Sequence, residues 1–409
     1  MELTFEDTRV AFAGKTDLEL RRAQLLFASI GSRWVVQSGS TVAAALLRMR
    51  VPGMAAVIRS TIFAQFCGGE SLAGCEGVVA YLGRGGVKAI LDYSVEGEKS
   101  EAGFDATLGE ILSTLEWAHS RPLVAFGVFK VTGLGRHGLL EKRSRGAVLS
   151  PDEEAEWSRA RGRVEQICER AHALGVRVLL DAEESWIQGA IDALADEMMA
   201  RFNRERAIVY NTYQLYRRDA LATLDAAWQR ASAAGFLLGA KLVRGAYLEK
   251  ERRRAAELGY PDPTQPDKAS TDADYDRAIA FCVEHLDRVA LCAGTHNESS
   301  SMLLVQEMER RGVAPDDARV FFSQLLGMSD NISFNLARAG YNVAKYVPYG
   351  PVRSVLPYLV RRAQENTAIA GQGSRELRLI EREQQRRRRD PSAGRSTAAG
   401  PAGSEDGSP

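Results

Sequence analysis

Eight short apolar runs, each followed by a longer amphipathic stretch, constrain this 409-residue chain more than any other feature. They occupy residues 89–95, 123–129, 177–180, 207–211, 237–243, 289–293, 319–323 and 343–347. Each is rich in Val, Ile, Leu, Phe or Tyr, as suits a strand buried on both faces. The stretches between them, such as 153–174 and 275–286, carry helical periodicity. Strand–helix alternation at this spacing predicts a parallel sheet, and a count of eight predicts an α/β fold of the (β/α)8 TIM-barrel type. An open doubly wound sheet is the competing architecture. No GxGxxG opens a helix after any of the runs, which weakens it.

The flanks differ from the centre. Residues 1–85 read as an N-terminal helical region, with apolar residues at helical spacing over 18–29 and 42–49 and a break at Pro52-Gly53. The barrel is expected over 86–380. Arg386 to Arg389 form a run of four arginines, which suits an acidic membrane surface or, more simply, a solvated helix end. Residues 390–409 are nearly all Pro, Ser, Gly, Ala and Thr and are expected to be a disordered tail.

Charge and cysteine content exclude several function classes. Fifty-three basic residues balance fifty-three acidic ones, so no global field points to nucleic acid. No stretch approaches the ~20 apolar residues of a membrane span. Five cysteines lack any CxxC spacing, so neither a disulfide framework nor a zinc site is expected. Glu2, Glu6 and Asp7 suit neither a signal nor a transit peptide, and a reduced, cytoplasmic compartment is the simplest expectation.

A barrel carries its chemistry at the C-terminal ends of its strands. The residues at the ends of the eight runs are polar in every case: Glu96, Lys130, Asp181, Asn211, Lys241, Thr295-His296-Asn297, Gln324 and Tyr346. After the last run a helix is expected from Ser354, with Pro357 in its first turn. Tyr358, Arg361, Arg362 and Glu365 then share one helical face. That face is either a solvent face with an Arg361–Glu365 pair or a double-guanidinium clamp for a carboxylate or phosphate, with Tyr358 as an aromatic wall. His296, one of five histidines, reads on its own as a structural residue, and no second ligand completes a metal site beside it.

These segments resemble the proline dehydrogenase family. The resemblance rests on Tyr346-Val-Pro-Tyr-Gly and on Tyr358-Leu-Val-Arg361-Arg362-Ala-Gln-Glu365-Asn366. Leu180-Asp181-Ala182-Glu183, Asn211-Thr212-Tyr213-Gln214, Lys241-Leu-Val-Arg244-Gly245-Ala246-Tyr247, Gly294-Thr295-His296-Asn297 and Gln324-Leu325-Leu326-Gly327-Met328 add to it, in family order. Leu91-Asp92-Tyr93-Ser94-Val95-Glu96 and the helical N-terminal region look most like the eukaryotic-type, monofunctional branch.

The resemblance implies a distorted (β/α)8 barrel that binds FAD non-covalently. It also implies oxidation of L-proline to Δ1-pyrroline-5-carboxylate, with electrons passed on to a membrane quinone and hence a peripheral visit to the membrane. By resemblance Arg361, Arg362 and Lys130 hold the substrate carboxylate, and Tyr346, Tyr358 and Leu325 pack its ring. Asp181 and Glu96 complete the polar network. Asn211, Lys241, Val243, Gly245, Thr295, His296, Asn297, Gln324 and Glu365 match the flavin-contacting positions. Lys241 stands where the better known bacterial members carry arginine, which keeps the charge without the bidentate geometry. Tyr346 is implied to lie against C4 of proline, so 4-hydroxyproline is expected to be a poor substrate.

Without the family, two other readings remain open. Lys130 at a strand end could form a Schiff base with a carbonyl substrate, or the rim could bind a small acid without turning it over.

Overall fold

The structure, a computed structural model, describes residues 3–30, 54–94, 99–368 and 372–390. The helical periodicity over 42–49, the strand-end residue Glu96 and the tail from 391 onward lie outside them. The eight runs form parallel strands β1 (Lys88–Tyr93), β2 (Val124–Phe129), β3 (Arg177–Leu180), β4 (Val209–Gln214), β5 (Leu238–Val243), β6 (Val289–Gly294), β7 (Val320–Leu325) and β8 (Val343–Tyr349). They pair in sequence order, and β1 closes on β8, giving the expected (β/α)8 barrel. Its one slip in register falls between Ala89 and Ile90, where β1 meets β2.

Alternation along the strands divides their side chains between two cores. Ile90, Phe126, Val128, Leu179, Tyr210, Cys292, Phe321 and Ala344 fill the lumen. Phe126 is its keystone, edge-on to Tyr210 at 5.4 Å and to Phe321 at 5.1 Å. Neighbours of opposite parity, such as Leu91, Val178, Leu242 and Val347, face the surrounding helices. β4 starts two residues later than its apolar run and continues to Gln214. Asn203 explains the late start: its Oδ1 accepts from the N–H of Ile208 and of Val209, both at 2.9 Å, tying them to the preceding turn.

The helices begin and end where local chemistry dictates. The longest among the described residues, Pro151–Leu174, opens with a capping box between Ser150 and Glu153 and closes on Gly175 at φ +69°. The helix expected from Ser354 runs over Leu356–Ala368, with Pro357 in its first turn.

The N-terminal helices share a core with the last two helices. Phe12, Leu20, Phe27 and Phe66 pack with Val355, Tyr358, Leu359, Leu379 and Ile380. Gln65 anchors this cap to the barrel by donating to the Gly327 carbonyl at 2.8 Å. Gly327 has φ +78°, and a Cβ there would come within 2.1 Å of the Gln65 carbonyl oxygen. Half of the arginine run is structural, contrary to a wholly solvated helix end. In the Gln372–Arg389 helix, Arg386 and Arg387 both bind Glu383, and Arg387 also caps the carbonyls of Phe12 and Lys15, each at 2.8 Å. The cause is Glu383 itself, a buried carboxylate that needs counter-charge. Arg388 and Arg389 are exposed.

Candidate active site

At the C-terminal mouth the inward-facing positions turn from apolar to charged. Asp181, directly after β3, is the hub. Its Oδ1 accepts from Lys241 of β5 at 2.6 Å and from the Tyr346 hydroxyl of β8 at 3.0 Å. Its Oδ2 accepts from Lys130, which follows β2, at 3.3 Å. Lys241 also donates to the Tyr346 oxygen, and its ammonium lies 4.4 Å from the centre of that ring. Burial alone would raise the Asp181 carboxyl, but Lys241 and Lys130 outweigh it and hold it well below the usual carboxylate range. The Tyr346 phenol is driven far above its ordinary value by burial and by Asp181, so it stays protonated. Two lysines, one after β2 and one on β5, thus share one ionised carboxylate.

Beyond Asp181, two adjacent carboxyls are pushed apart by their surroundings. Burial lifts Glu183 to about 7, against the pull of Thr132, whose N–H donates to it at 3.0 Å. Burial also raises Glu184, but His137 and Lys250 prevail and bring it to about 2. Tyr247 connects this loop to the arginine helix. Its phenol is raised first by burial and then by Glu183, while Lys130 and Arg361 oppose the rise.

Among the residues expected to hold substrate, Lys130, Asp181 and Tyr346 converge directly. Leu325 ends β7 and is half-buried between the lumen and the cap core. Tyr358 and Arg362 are buried one helical turn apart, with the guanidinium 5.0 Å from the ring centre. Arg361 is half-buried and shares the surroundings of Tyr247 with Lys130 and Glu183.

The positions matched to the flavin fall into two groups. Lys241 and Val243 are strand positions of inward parity, and Gly245 follows at φ +128° against the ring of Tyr216. Asn211 and Gln324 have the opposite parity, and their amides engage the helix layer. Asn211 donates to Asp192 at 2.9 Å, and Gln324 accepts from Ser333 at 2.8 Å. Thr295 accepts from Arg244 at 2.7 Å, and Asn297 caps the Glu298–Arg310 helix through the Ser300 N–H. His296 lies between Ser329 at 2.9 Å and the N–H of Leu325 at 3.5 Å. Its ring is pushed down to about 3 by burial and by Lys345, Arg362 and Arg244, so it is neutral. The side chain of Glu365 lies outside what the structure describes.

The list drawn from the sequence omits two buried charged residues of the strands. Asp92 of β1 is buried and accepts from Ser94. Lys345 of β8 is fully buried and paired with Asp330 at 2.8 Å. A charge inside a strand buried on both faces was the available signal for both.

Comparison with known proteins follows the same lines. The family model described as proline dehydrogenase matches residues 76–375. Proline dehydrogenase 1 of Arabidopsis thaliana, a mitochondrial protein, is 32% identical over 420 residues, covering 91% of this chain and 83% of that one. Human mitochondrial proline dehydrogenase 1 is 44% identical over 235 residues, 57% of this chain and 39% of the human one. The carbapenem antibiotics biosynthesis protein CarD of Pectobacterium carotovorum is 36% identical over 322 residues, 79% and 83% of the two chains. Among solved structures, proline utilization A (PutA) of Bdellovibrio bacteriovorus superposes with a TM-score of 0.69 at 20% identity, which speaks to fold alone. That match covers 85% of this chain and 36% of the PutA chain.

Proposed function

Because the chain belongs to the proline dehydrogenase family, we propose that it oxidises L-proline to Δ1-pyrroline-5-carboxylate, the first step of proline breakdown, with FAD as the hydride acceptor. The observation that carries this reading is the meeting of Lys130, Lys241 and Tyr346 on Asp181. Lys130 at this network, joined by Arg361 and Arg362 from the helix after β8, offers cationic donors to the carboxylate of a small acid. Tyr346 and Leu325 supply an apolar wall for its ring. A rigid five-membered ring gripped at its carboxylate and packed on one face has few orientations left, which is what hydride transfer at a fixed carbon requires.

The donor set suits a flavin. Inward positions near the ends of β5 and β6 are Val243 and Gly294, a small and uncharged floor for a planar ring system. At Gly294 even a Cβ would come within 3.0 Å of the Leu242 carbonyl oxygen and 3.1 Å of Val243 Cγ1. Lys241 would place its ammonium beside that floor, and the neutral His296 follows Gly294 by two residues. FAD, when bound, supplies the two-electron acceptor chemistry that no side chain provides. The protein's own contribution is to bind the acid, fix its tilt and keep Tyr346 and His296 in single protonation states.

Electron transfer onward to a membrane quinone, from a cytoplasmic protein that visits the membrane surface, is part of the same proposal. No helix among the described residues is long and apolar enough to cross a membrane. The test is proline-dependent reduction of an artificial acceptor by purified, flavin-containing protein, with borohydride trapping in parallel. Turnover without a trapped adduct supports the dehydrogenase. A borohydride-stable adduct on Lys130, without flavin, would establish the Schiff-base reading instead.

A further inference from the structure

A second buried charge cluster lies behind β7 and β8, outside the lumen. The ammonium of Lys345 pairs with Asp330 Oδ1 at 2.8 Å and donates to the carbonyls of Met328 at 2.5 Å and Leu325 at 3.3 Å. Asp330 Oδ2 pairs with Lys15, from the turn before the Asp17–Ile30 helix, at 2.6 Å. Glu376, on the Gln372–Arg389 helix, is buried in the same space, and its Oε1 accepts from the N–H of Ser329 at 2.5 Å. Burial and Asp330 raise its carboxyl to about 7, against the pull of Lys345 and Lys15. Two cations and two carboxyls from four separate elements are therefore enclosed together.

Ser329 is the joint between this cluster and the mouth. At φ +50° it is the one non-glycine residue among those described that occupies the left-handed region. A serine persists there only where its surroundings over-determine it. Its N–H is fixed by Glu376, and its side-chain oxygen lies 2.9 Å from His296 Nδ1. His296 Nε2 faces the Leu325 N–H and so acts as acceptor. A neutral imidazole that accepts at Nε2 carries its proton at Nδ1 and donates it to Ser329.

We propose that Glu376 is a positioning residue for the flavin pocket: by holding Ser329 in its left-handed turn it sets the ring plane and tautomer of His296. The last helix is then part of cofactor binding and not merely packing on the cap. This inference rests on the flavin site proposed above. The chain of contacts is short, since one hydrogen bond separates Glu376 from Ser329 and one more separates Ser329 from His296.

The test is FAD release from the holoenzyme, followed as recovered free-flavin fluorescence on dilution. Glu376→Ala and His296→Ala should each weaken FAD retention about tenfold, the size expected when a hydrogen bond to a charged or buried polar group is lost. The double variant should be no weaker than the worse single variant, because both remove the same support. Glu376→Gln keeps an oxygen that can accept from Ser329 and should stay within about threefold of wild type. Where Glu376→Ala does not fold, Ser329→Ala replaces it in the cycle with the same expectation. Additive single effects, or a Gln variant as weak as the Ala variant, overturn the proposal. Wild-type protein that holds no flavin overturns this inference and the proposed function together, whereas flavin-bound wild type with additive variants overturns the inference alone.

Discussion

Lys241 and Asp181 meet at 2.6 Å inside the barrel, joining β5 to the loop after β3 across the intervening strand. Lys241 serves single oxygen atoms, one on Asp181 and one on Tyr346. A compact ammonium suffices for that, since neither contact calls for a bidentate donor.

Removing the hub should be costly. Asp181→Ala leaves Lys130 and Lys241 enclosed without their carboxylate, and a loss of about 3–5 kcal/mol in unfolding free energy is expected. The pH dependence has a definite sign. The folded-state carboxyl is held below its unfolded value, so its stabilisation is present above about pH 4 and fades as pH falls further. Denaturant titrations at pH 7 and pH 3 check this: the gap between wild type and Asp181→Asn should narrow at the lower pH. A constant gap would remove Asp181 from the ionised network.

Glu183 should behave in the opposite sense. Its folded carboxyl is raised to about 7, so the fold favours the protonated form. Stability from this group is complete below its unfolded value near 4.5 and declines as pH rises towards 7. Glu183→Gln should therefore gain about 1–3 kcal/mol on wild type at pH 8 and little at pH 5. Parallel thermal-melt profiles for the two proteins would contradict the raised carboxyl.

Arg361→Met should raise the KM for proline by about 10–100-fold while flavin content stays at the wild-type level, as expected for loss of a charge-assisted hydrogen bond to a carboxylate. Steady-state kinetics on protein of measured flavin content decide it. Unchanged proline kinetics would show that Arg361 does not hold the substrate carboxylate.

Tyr346→Ser should lower kcat/KM for proline, because the substrate loses a wall and Asp181 loses a hydroxyl donor at 3.0 Å. The loss for trans-4-hydroxy-L-proline should be smaller, with a differential of ~1–3 kcal/mol in favour of the bulkier substrate. Equal losses on both would show that this ring does not set the choice between them.

Two truncations separate the tail from the helix before it. Removing 391–409 should leave the thermal midpoint and turnover unchanged, as that composition offers no packed contacts. Removing 372–409 strips Leu379, Ile380 and Glu383 from the cap core, and the shortened protein should unfold at a much lower temperature. A stable product of the second truncation would show that the cap does not depend on this helix.

The barrel was legible because its strands are buried on both faces, which leaves short apolar runs that stand out from the amphipathic helices between them. β4 was misjudged at both ends: the Asn203 side chain delays its start by a local turn contact that apolar patterning does not register. Strand ends identified Lys130, Asp181, Lys241 and Tyr346 as neighbours of the mouth. Parity could have separated Lys241 from Asn211 and Gln324, whose amides turn to the helices. Nothing local announced Glu376 or its link to Ser329, which are 47 residues apart. The arginine run misled for a related reason: Glu383, three and four residues earlier, looks like an ordinary surface partner until the cap buries it.

The account's central claim is that this barrel mouth delivers electrons from proline to a bound flavin. It is tested most directly by adding L-proline anaerobically to the purified protein and recording its visible spectrum. The account predicts an oxidised flavin band that bleaches with proline and returns when a soluble quinone is added. Protein without flavin, or a flavin band that proline leaves unchanged, would contradict it.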